Sequence, residues 1–259
     1  MTPKNILTKE QKTFFDKNGY LVVENIITLE ELNIYRKIYD QFLDGTINTG
    51  KNRSDLGAGL GNDETLEKIT QIMWPSDFVI ELLDMCYHQR ALMMARELEG
   101  ADMEMDFDML INKAPRTNTI TPWHQDAAYW INMPDKRAIS CWLALDETTL
   151  DNGCMWYIPG SQLLPLRIHR NAKEEGGALM CDATEAEGVG IPLQPGSCIF
   201  HHGATLHYSR GNQTDSDRRA LIVNFRPAAM IALERAQGFD HGRSGNAAER
   251  KIRNNGNDN

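Results

Sequence analysis

The sequence predicts an α+β fold, with helices first and a β-sandwich or jelly roll behind them. Three observations carry that expectation. Two capping boxes open amphipathic runs near the start, the apolar period changes from 3.6 to 2 at Ala101, and short strand-like runs separated by turn signals continue to Pro227. No repeat, linker or biased tract divides the 259 residues, and single all-β domains reach about 200–250 residues, so residues 1–259 read as one domain.

The first two elements follow from Thr8 with Gln11 and Thr28 with Glu31, a hydroxyl at the cap and an amide or carboxylate three residues on. The first helix stops at Asn18-Gly19. The second carries Leu32, Tyr35, Ile38, Tyr39 and Phe42 at helical spacing and ends at Asp44-Gly45, with the short apolar run Tyr20–Val23 between the two helices. Residues 46–63 are polar and Gly-rich and read as a long mobile loop. A further helix is expected over residues 78–98, so the helical part covers about 8–98.

The β core is expected over about 101–227. Met103, Met105, Phe107, Met109 and Ile111 alternate with Asp102, Glu104, Asp106 and Asp108, which predicts one half-buried strand with its acids in water; a second metal site on those acids is the weaker reading. Further strands are expected at residues 139–146, 154–158, 191–201, 205–208 and 219–227. Residues 163–190 are far longer than the roughly 4–6 of an ordinary connection, and read as a lid insertion hinged at its glycines. Residues 235–259 read as a polar C-terminal tail.

Charge and cysteine usage exclude several function classes. A net charge of −9 opposes a nucleic-acid partner, whose binding needs cations to release counterions. No apolar run reaches the ~18 residues of a membrane helix, and residues 1–10 lack the order of a secretory signal, so no membrane partner and a cytoplasmic location are expected. Five widely spaced cysteines without C-x-x-C predict reduced thiols, mostly buried. Arg167, His169 and Arg170 would give the insertion a positive face, hence the expectation of a small-molecule substrate with an anionic group. Oligomeric state leaves no mark in the sequence.

The chemistry begins at Trp123-His124-Gln125-Asp126. In an extended segment residues two apart point the same way, so His124 and Asp126 can converge on one ion while Gln125 faces away. With a second imidazole they would make a 2-His-1-carboxylate set, which suits non-haem Fe(II). His207 ranks first for that place because it lies in a strand-like run after a Pro-Gly turn. His202, five residues earlier, is its main rival, and His169, His201, His88 and His241 rank lower. Arg218 heads the last apolar strand, where a planar fork could grip a carboxylate; alternation points Arg218 inward and Arg219 outward. The same parity puts Ser140, Trp142, Ala144 and Asp146 toward the cavity.

The chain resembles the phytanoyl-CoA dioxygenase (PhyH) family of Fe(II)- and 2-oxoglutarate-dependent oxygenases along nearly its whole length. The resemblance rests on Phe15-x-x-x-Gly19-Tyr20, Met109-Leu110-Ile111-Asn112-Lys113-x-Pro115, His124-Gln125-Asp126, Asn152-Gly153-Cys154, Ile158-Pro159-Gly160-Ser161, and His207-x-Ser209 followed by Arg218-Arg219-Ala220. It implies a double-stranded β-helix, the jelly-roll of cupin-like proteins, flanked by the N-terminal helices. It further implies iron on His124, Asp126 and His207, and the distal carboxylate of 2-oxoglutarate on Arg218. Ser209, Trp142, Met109 and Lys68 match the positions that help hold this co-substrate. The implied reaction takes O2 and 2-oxoglutarate, releases succinate and CO2, and hydroxylates a small molecule. Where the family often has His after Pro-Gly-Ser, this chain has Gln162. A cupin-type oxygenase or isomerase without 2-oxoglutarate is one alternative, but it leaves Arg218 without a use. A non-catalytic jelly-roll binding protein is the other, and the intact His124, Asp126 and His207 oppose it.

Overall fold

The computed structural model describes residues 6–57, 66–173 and 176–243. Both capping boxes form: Thr8 opens α1 (Lys9–Asn18) and Thr28 opens α2 (Leu29–Leu43). Between them lies β1 (Tyr20–Val23), reached through Gly19, whose φ of 76° is the left-handed geometry that ends α1. The loop expected at 46–63 instead holds a helical turn at Gly50–Asn52 and β2 (Arg53–Asp55), which pairs with β3 (Ile69–Met73); residues 58–63 lie outside the described residues. β2 is a short polar edge strand, so it has no alternation to read. Arg53 fixes it by pairing with Glu67 and donating to the carbonyls of Phe42 and Leu43. The helix expected over 78–98 is broken at Val79 and Met85 into α3 (Pro75–Phe78), a 3-10 segment at Ile80–Asp84 and α4 (Cys86–Glu99).

Next along the chain come β4 (Met103–Lys113), β5 (Thr121–His124), β6 (Ile139–Ala144), β7 (Met155–Tyr157), β8 (Arg170–Lys173) and β9 (Gly176–Met180). They are followed by β10 (Val189–Ile191), β11 (Cys198–His202), β12 (His207–Ser209), β13 (Arg218–Pro227) and α5 (Ala228–Ala236). A seven-stranded sheet in the order β1-β11-β6-β13-β4-β3-β2 faces a four-stranded sheet in the order β10-β7-β12-β5, every pairing antiparallel. This is the jelly-roll core the sequence predicts. Cys141, Leu143, Leu221, Val223 and Phe225 on the outer face of the large sheet pack against Tyr35, Tyr39, Phe42 and Tyr87 of the helices. Trp142, Ile199 and Ile222 on its inner face meet Met155 and Tyr157 of the small sheet.

Four expectations change for physical reasons. The single strand expected at 191–201 is two strands in different sheets, parted at Pro195-Gly196, where Gly196 has φ 84°. Asp146 lies past the end of β6, so it leaves the cavity face and pairs with Arg219 on the outside. The insertion at 163–190 contains the β8–β9 hairpin, with β9 against β5, rather than an irregular loop; Leu163, Leu164 and Ile168 are exposed on it. The tail expected from 235 begins inside α5 and stays packed through residue 243, with His241 buried; residues 244–259 lie outside the described residues.

The acids of β4 are a further case. Asp106 and Asp108 are 2% and 0% exposed, not solvated. β13 pairs Asn224 with Phe107 and Phe225 with Met105, so Asp106 is an extra residue opposite nothing. This bulge reverses the alternation. Met103 and Met105 pack toward the helices, whereas Phe107, Met109 and Ile111 face the cavity. Asp108 is turned to the helix side, where it accepts from the Ser76 backbone N–H and hydroxyl and meets His88 Nε2 at 3.4 Å.

Candidate active site

Two neighbouring strands of the small sheet set the geometry. His124 ends β5, His207 begins β12, and the two are direct partners in the ladder, so their side chains stand together on the inner face with ring centroids 4.1 Å apart. Gln125 is extended, which returns Asp126 to the face of His124. Gln125 itself is fully buried the other way; its amide donates to the Ala204 carbonyl and accepts from the Arg167 N–H.

His124 Nε2 and His207 Nε2 lie 3.6 and 3.5 Å from Asp126 Oδ1. The donor atoms of the three residues all fall within 4.8 Å of one another. Both Nδ1–H groups donate to carbonyls, of Pro122 at 2.8 Å and Thr205 at 2.9 Å, which leaves each Nε2 turned toward the carboxylate as the atom that would face a metal. Burial pushes His207 well below the usual imidazole range, and His124 beside it adds to the effect. Burial would raise Asp126, but His207, His201 and His124 together hold it well below the usual carboxylate range. Two imidazoles and one carboxylate gathered around a common point form a donor set that fits a divalent first-row metal.

The carboxylate's other oxygen is held from behind. Asp126 Oδ2 accepts from Ser140 Oγ at 3.1 Å and lies 3.2 Å from His201 Nε2. Asn224 Nδ2 donates to Ser140 Oγ, and the Tyr157 hydroxyl lies 3.2 Å from His201 Nδ1. Sequence reasoning ranked His202 above His201, and the structure reverses them. His202 Nδ1 accepts from the Ala204 N–H, and His202 does not line the cavity, whereas His201 does.

A cavity of about 210 Å³ extends from this cluster between the sheets. Arg218, Trp142, Ser209 and Met109 line it. Arg218 is 1% exposed, and its Nε and Nη1 have no partner among the described residues. Burial pushes its guanidinium down to about 10, and it stacks 5.2 Å from the Trp142 ring. Arg219 points outward, onto Asp146 and Asp40. Lys68 is not among the lining residues: its carbonyl accepts from Ala114, and Gln71, three residues on, reaches the cavity from the same strand region. Gln162 lies outside as well, donating to the Asp16 carbonyl at the end of α1.

Several lining residues carried no readable signal, among them Tyr129, Trp130 and Phe239, and His241, ranked low as a metal ligand, lines the cavity too. The cations expected to face a substrate are already engaged. Arg167 pairs with Glu187 and Arg170 with Asp182, while His169 is buried, donating to the Arg167 carbonyl and accepting from the Gln125 N–H.

The phytanoyl-CoA dioxygenase (PhyH) family model matches residues 15–220. A probable phytanoyl-CoA dioxygenase of Caenorhabditis elegans is 27% identical over 237 residues, covering 85% of this chain and 76% of that one. The peroxisomal phytanoyl-CoA dioxygenase of Homo sapiens is 27% identical over 243 residues, covering 86% and 70%. Among solved structures, EvdO2 from Micromonospora carbonacea var. aurantiaca complexed with 2-oxoglutarate superposes with a TM-score of 0.72 at 28% identity, covering 88% of this chain and 94% of that one. The matched span contains the three clustered residues and Arg218, and the chain belongs to the phytanoyl-CoA dioxygenase (PhyH) family, as an iron- and 2-oxoglutarate-dependent oxygenase that acts on a small molecule.

Proposed function

We propose that His124, Asp126 and His207 hold one Fe(II), that Arg218 holds the distal carboxylate of 2-oxoglutarate, and that a small molecule is hydroxylated at the other side of the cluster. The observation that carries this is the buried guanidinium of Arg218, unpartnered at Nε and Nη1, in the cavity that the three clustered side chains also line. An unpaired buried charge is costly, so its retention points to an anion that arrives with the ligand. When bound, the metal would supply the oxidising chemistry, with O2 and 2-oxoglutarate consumed as the substrate C–H becomes C–OH and succinate and CO2 leave.

The chain's own groups have separate tasks. Thr205 and Pro122 fix the imidazole tautomers, while Ser140 and His201 hold Oδ2 so that Oδ1 faces inward. Trp142 and Met109 give the co-substrate an apolar bed, and Ser209 a hydroxyl. Lys113, buried beneath that end, donates to the carbonyls of Thr119, Ser209 and Arg210 and so braces the backbone of Ser209. β9 would cover the mouth: Ala178 lines the cavity, and the Leu179 N–H donates to the Tyr129 hydroxyl at 2.7 Å.

An anionic substrate, expected from Arg167, His169 and Arg170, loses its support because those groups are spent within the insertion. Free thiols at all five cysteines suit a reducing compartment such as the cytoplasm. The deciding experiment is substrate-dependent succinate formation with Fe(II), O2 and 2-oxoglutarate, screened over a panel of small molecules. Succinate formation that does not require Fe(II), or that persists unchanged in Arg218→Ala, would refute the assignment.

A further inference from the structure

We propose that Phe239 and His241, on the segment after α5, form the far wall of the substrate chamber and select a substrate with an uncharged, largely apolar body. The proposal rests on the reading above that Arg218 takes the co-substrate. Both residues line the cavity, and both lie beyond the span 15–220 that matches the family.

Their place is fixed by the sheet. Arg218 and Asn224 both face the cavity from β13, six residues and therefore about 20 Å apart along the strand. Asn224 is tied through Ser140 to Asp126, and its ladder partner is Phe107. The His241 ring lies against Phe107, tilted by 34° with centroids 4.1 Å apart, and Phe239 packs edge-on against His241. Phe107 and Ser140 flank Asn224 in the ladder, so Phe107 with His241 and Phe239 stands level with the residues that hold Asp126, at the end of the cavity away from Arg218. A substrate at this end would meet the reacting centre away from the co-substrate's distal carboxylate.

This wall is clamped. His241 Nε2 lies 3.1 Å from Asp106 and 3.4 Å from Glu234, Arg226 pairs with Glu234 at 2.9 Å, and Arg235 pairs with both acids. Trp74 Nε1–H donates to the His241 carbonyl, and Arg243 pairs with Asp77 at 2.7 Å. Asp106, Glu234 and His241 could be taken for a metal site. The two guanidiniums already engage the carboxylates, which makes the cluster an ion-pair fastening instead.

The same accounting sets the selectivity. Phe107, Tyr129, Trp130, Met73 and Phe239 supply the surface of this end. Among the described residues there, every cation faces a carboxylate, and Arg226 is further covered by the Trp130 ring at 4.8 Å. A charged group on the substrate would be stripped of water without gaining a partner, while an apolar body would gain by burial.

Fluorescent 2-naphthol and its anionic counterpart 2-naphthoate test this on anaerobic enzyme loaded with Fe(II) and 2-oxoglutarate. The wild type should bind 2-naphthol about tenfold or more tightly than 2-naphthoate. Phe239→Ala should weaken 2-naphthol by about tenfold, the scale of a lost ring contact, with Phe239→Leu between. In a separate aerobic assay, the 2-oxoglutarate KM, read from succinate formed with O2 but without substrate, should move less than about twofold in either variant, as expected for a wall remote from Arg218. Absence of 2-naphthol binding, equal binding of the two probes, or an unchanged 2-naphthol Kd in both variants would overturn the proposal. Failure of the wild type to bind 2-oxoglutarate would instead overturn the functional reading beneath it.

Discussion

His201 Nε2 lies 3.2 Å from Asp126 Oδ2, while Oδ1 of the same carboxylate faces His124 and His207. One oxygen is held by the protein, and the other is presented. Loss of such a supporting contact typically weakens a metal site by about 10–100-fold. His201→Gln should therefore bind Co(II) or Fe(II) more weakly by that factor and remain folded, whereas His202→Ala should leave metal affinity unchanged. Equal affinities for His201→Gln and the wild type would remove His201 from this role.

His207→Ala takes away one of three converging donor atoms rather than a support. Metal affinity should fall by roughly 10²-fold or more, beyond the outer-contact effect. Atomic absorption after gel filtration reads this directly, and a full equivalent of retained iron would refute the triad.

The two adjacent arginines should behave oppositely. Arg218→Ala removes a guanidinium that would be paired with a carboxylate, so the 2-oxoglutarate KM should rise on the order of 10²-fold, from the roughly 2–5 kcal/mol such truncations cost. Without ligand, Arg218→Met should melt no lower than the wild type, because an unpartnered buried charge gives way to an apolar chain. Arg219→Ala should lower Tm through loss of its pairs with Asp146 and Asp40, while 2-oxoglutarate binding holds. The reverse ranking of the two alanine variants in co-substrate KM would show that the inward and outward faces of β13 are exchanged.

The clamp around His241 carries a pH signature. Burial alone would lower this imidazole, but Asp106 and Glu234 overcome it and raise it above its ordinary value, with Arg226 and Arg235 the opposing cations packed around it. A raised folded pKa gives stability that is complete below the unfolded value near 6.5 and is lost as pH climbs through the folded one. The Tm advantage of the wild type over His241→Gln should thus be largest in mild acid and shrink above about pH 6.5. An advantage that grows with pH would contradict this.

The proposed cover by the hairpin segment is tested by limited proteolysis. Cleavage within residues 163–190 should slow when Fe(II) and 2-oxoglutarate are present and a turned-over substrate is added anaerobically. Equal rates with and without them would leave the hairpin as a plain surface insertion.

Local rhythm made part of this legible and hid the rest. His124 and Asp126 are two apart in an extended run, so their shared face could be read directly, as could the inward parity of Arg218. His207 became a ligand candidate by its strand context, but its register against His124 depends on two distant strands meeting. Parity would also have chosen His201 over His202, because Ile199 and His201 share the inner face of β11 whereas Phe200 faces the helices. The buried acids of β4 were illegible. Their partners Ser76, His88, Arg235 and His241 come from far along the chain, and a bulge leaves no local mark in composition.

Asp106, the residue that β13 skips, gives β4 a change of step. Met103 and Met105 keep one rhythm, while Phe107, Met109 and Ile111 keep the opposite one. Deleting this single residue would force the two halves into one beat, so that one of the two sets must face the wrong way. It would also strip the C-terminal fastening of the carboxylate that Arg235 and His241 grip. The strand is in effect two half-strands spliced out of phase, and the splice doubles as the bolt that holds the end wall of the chamber.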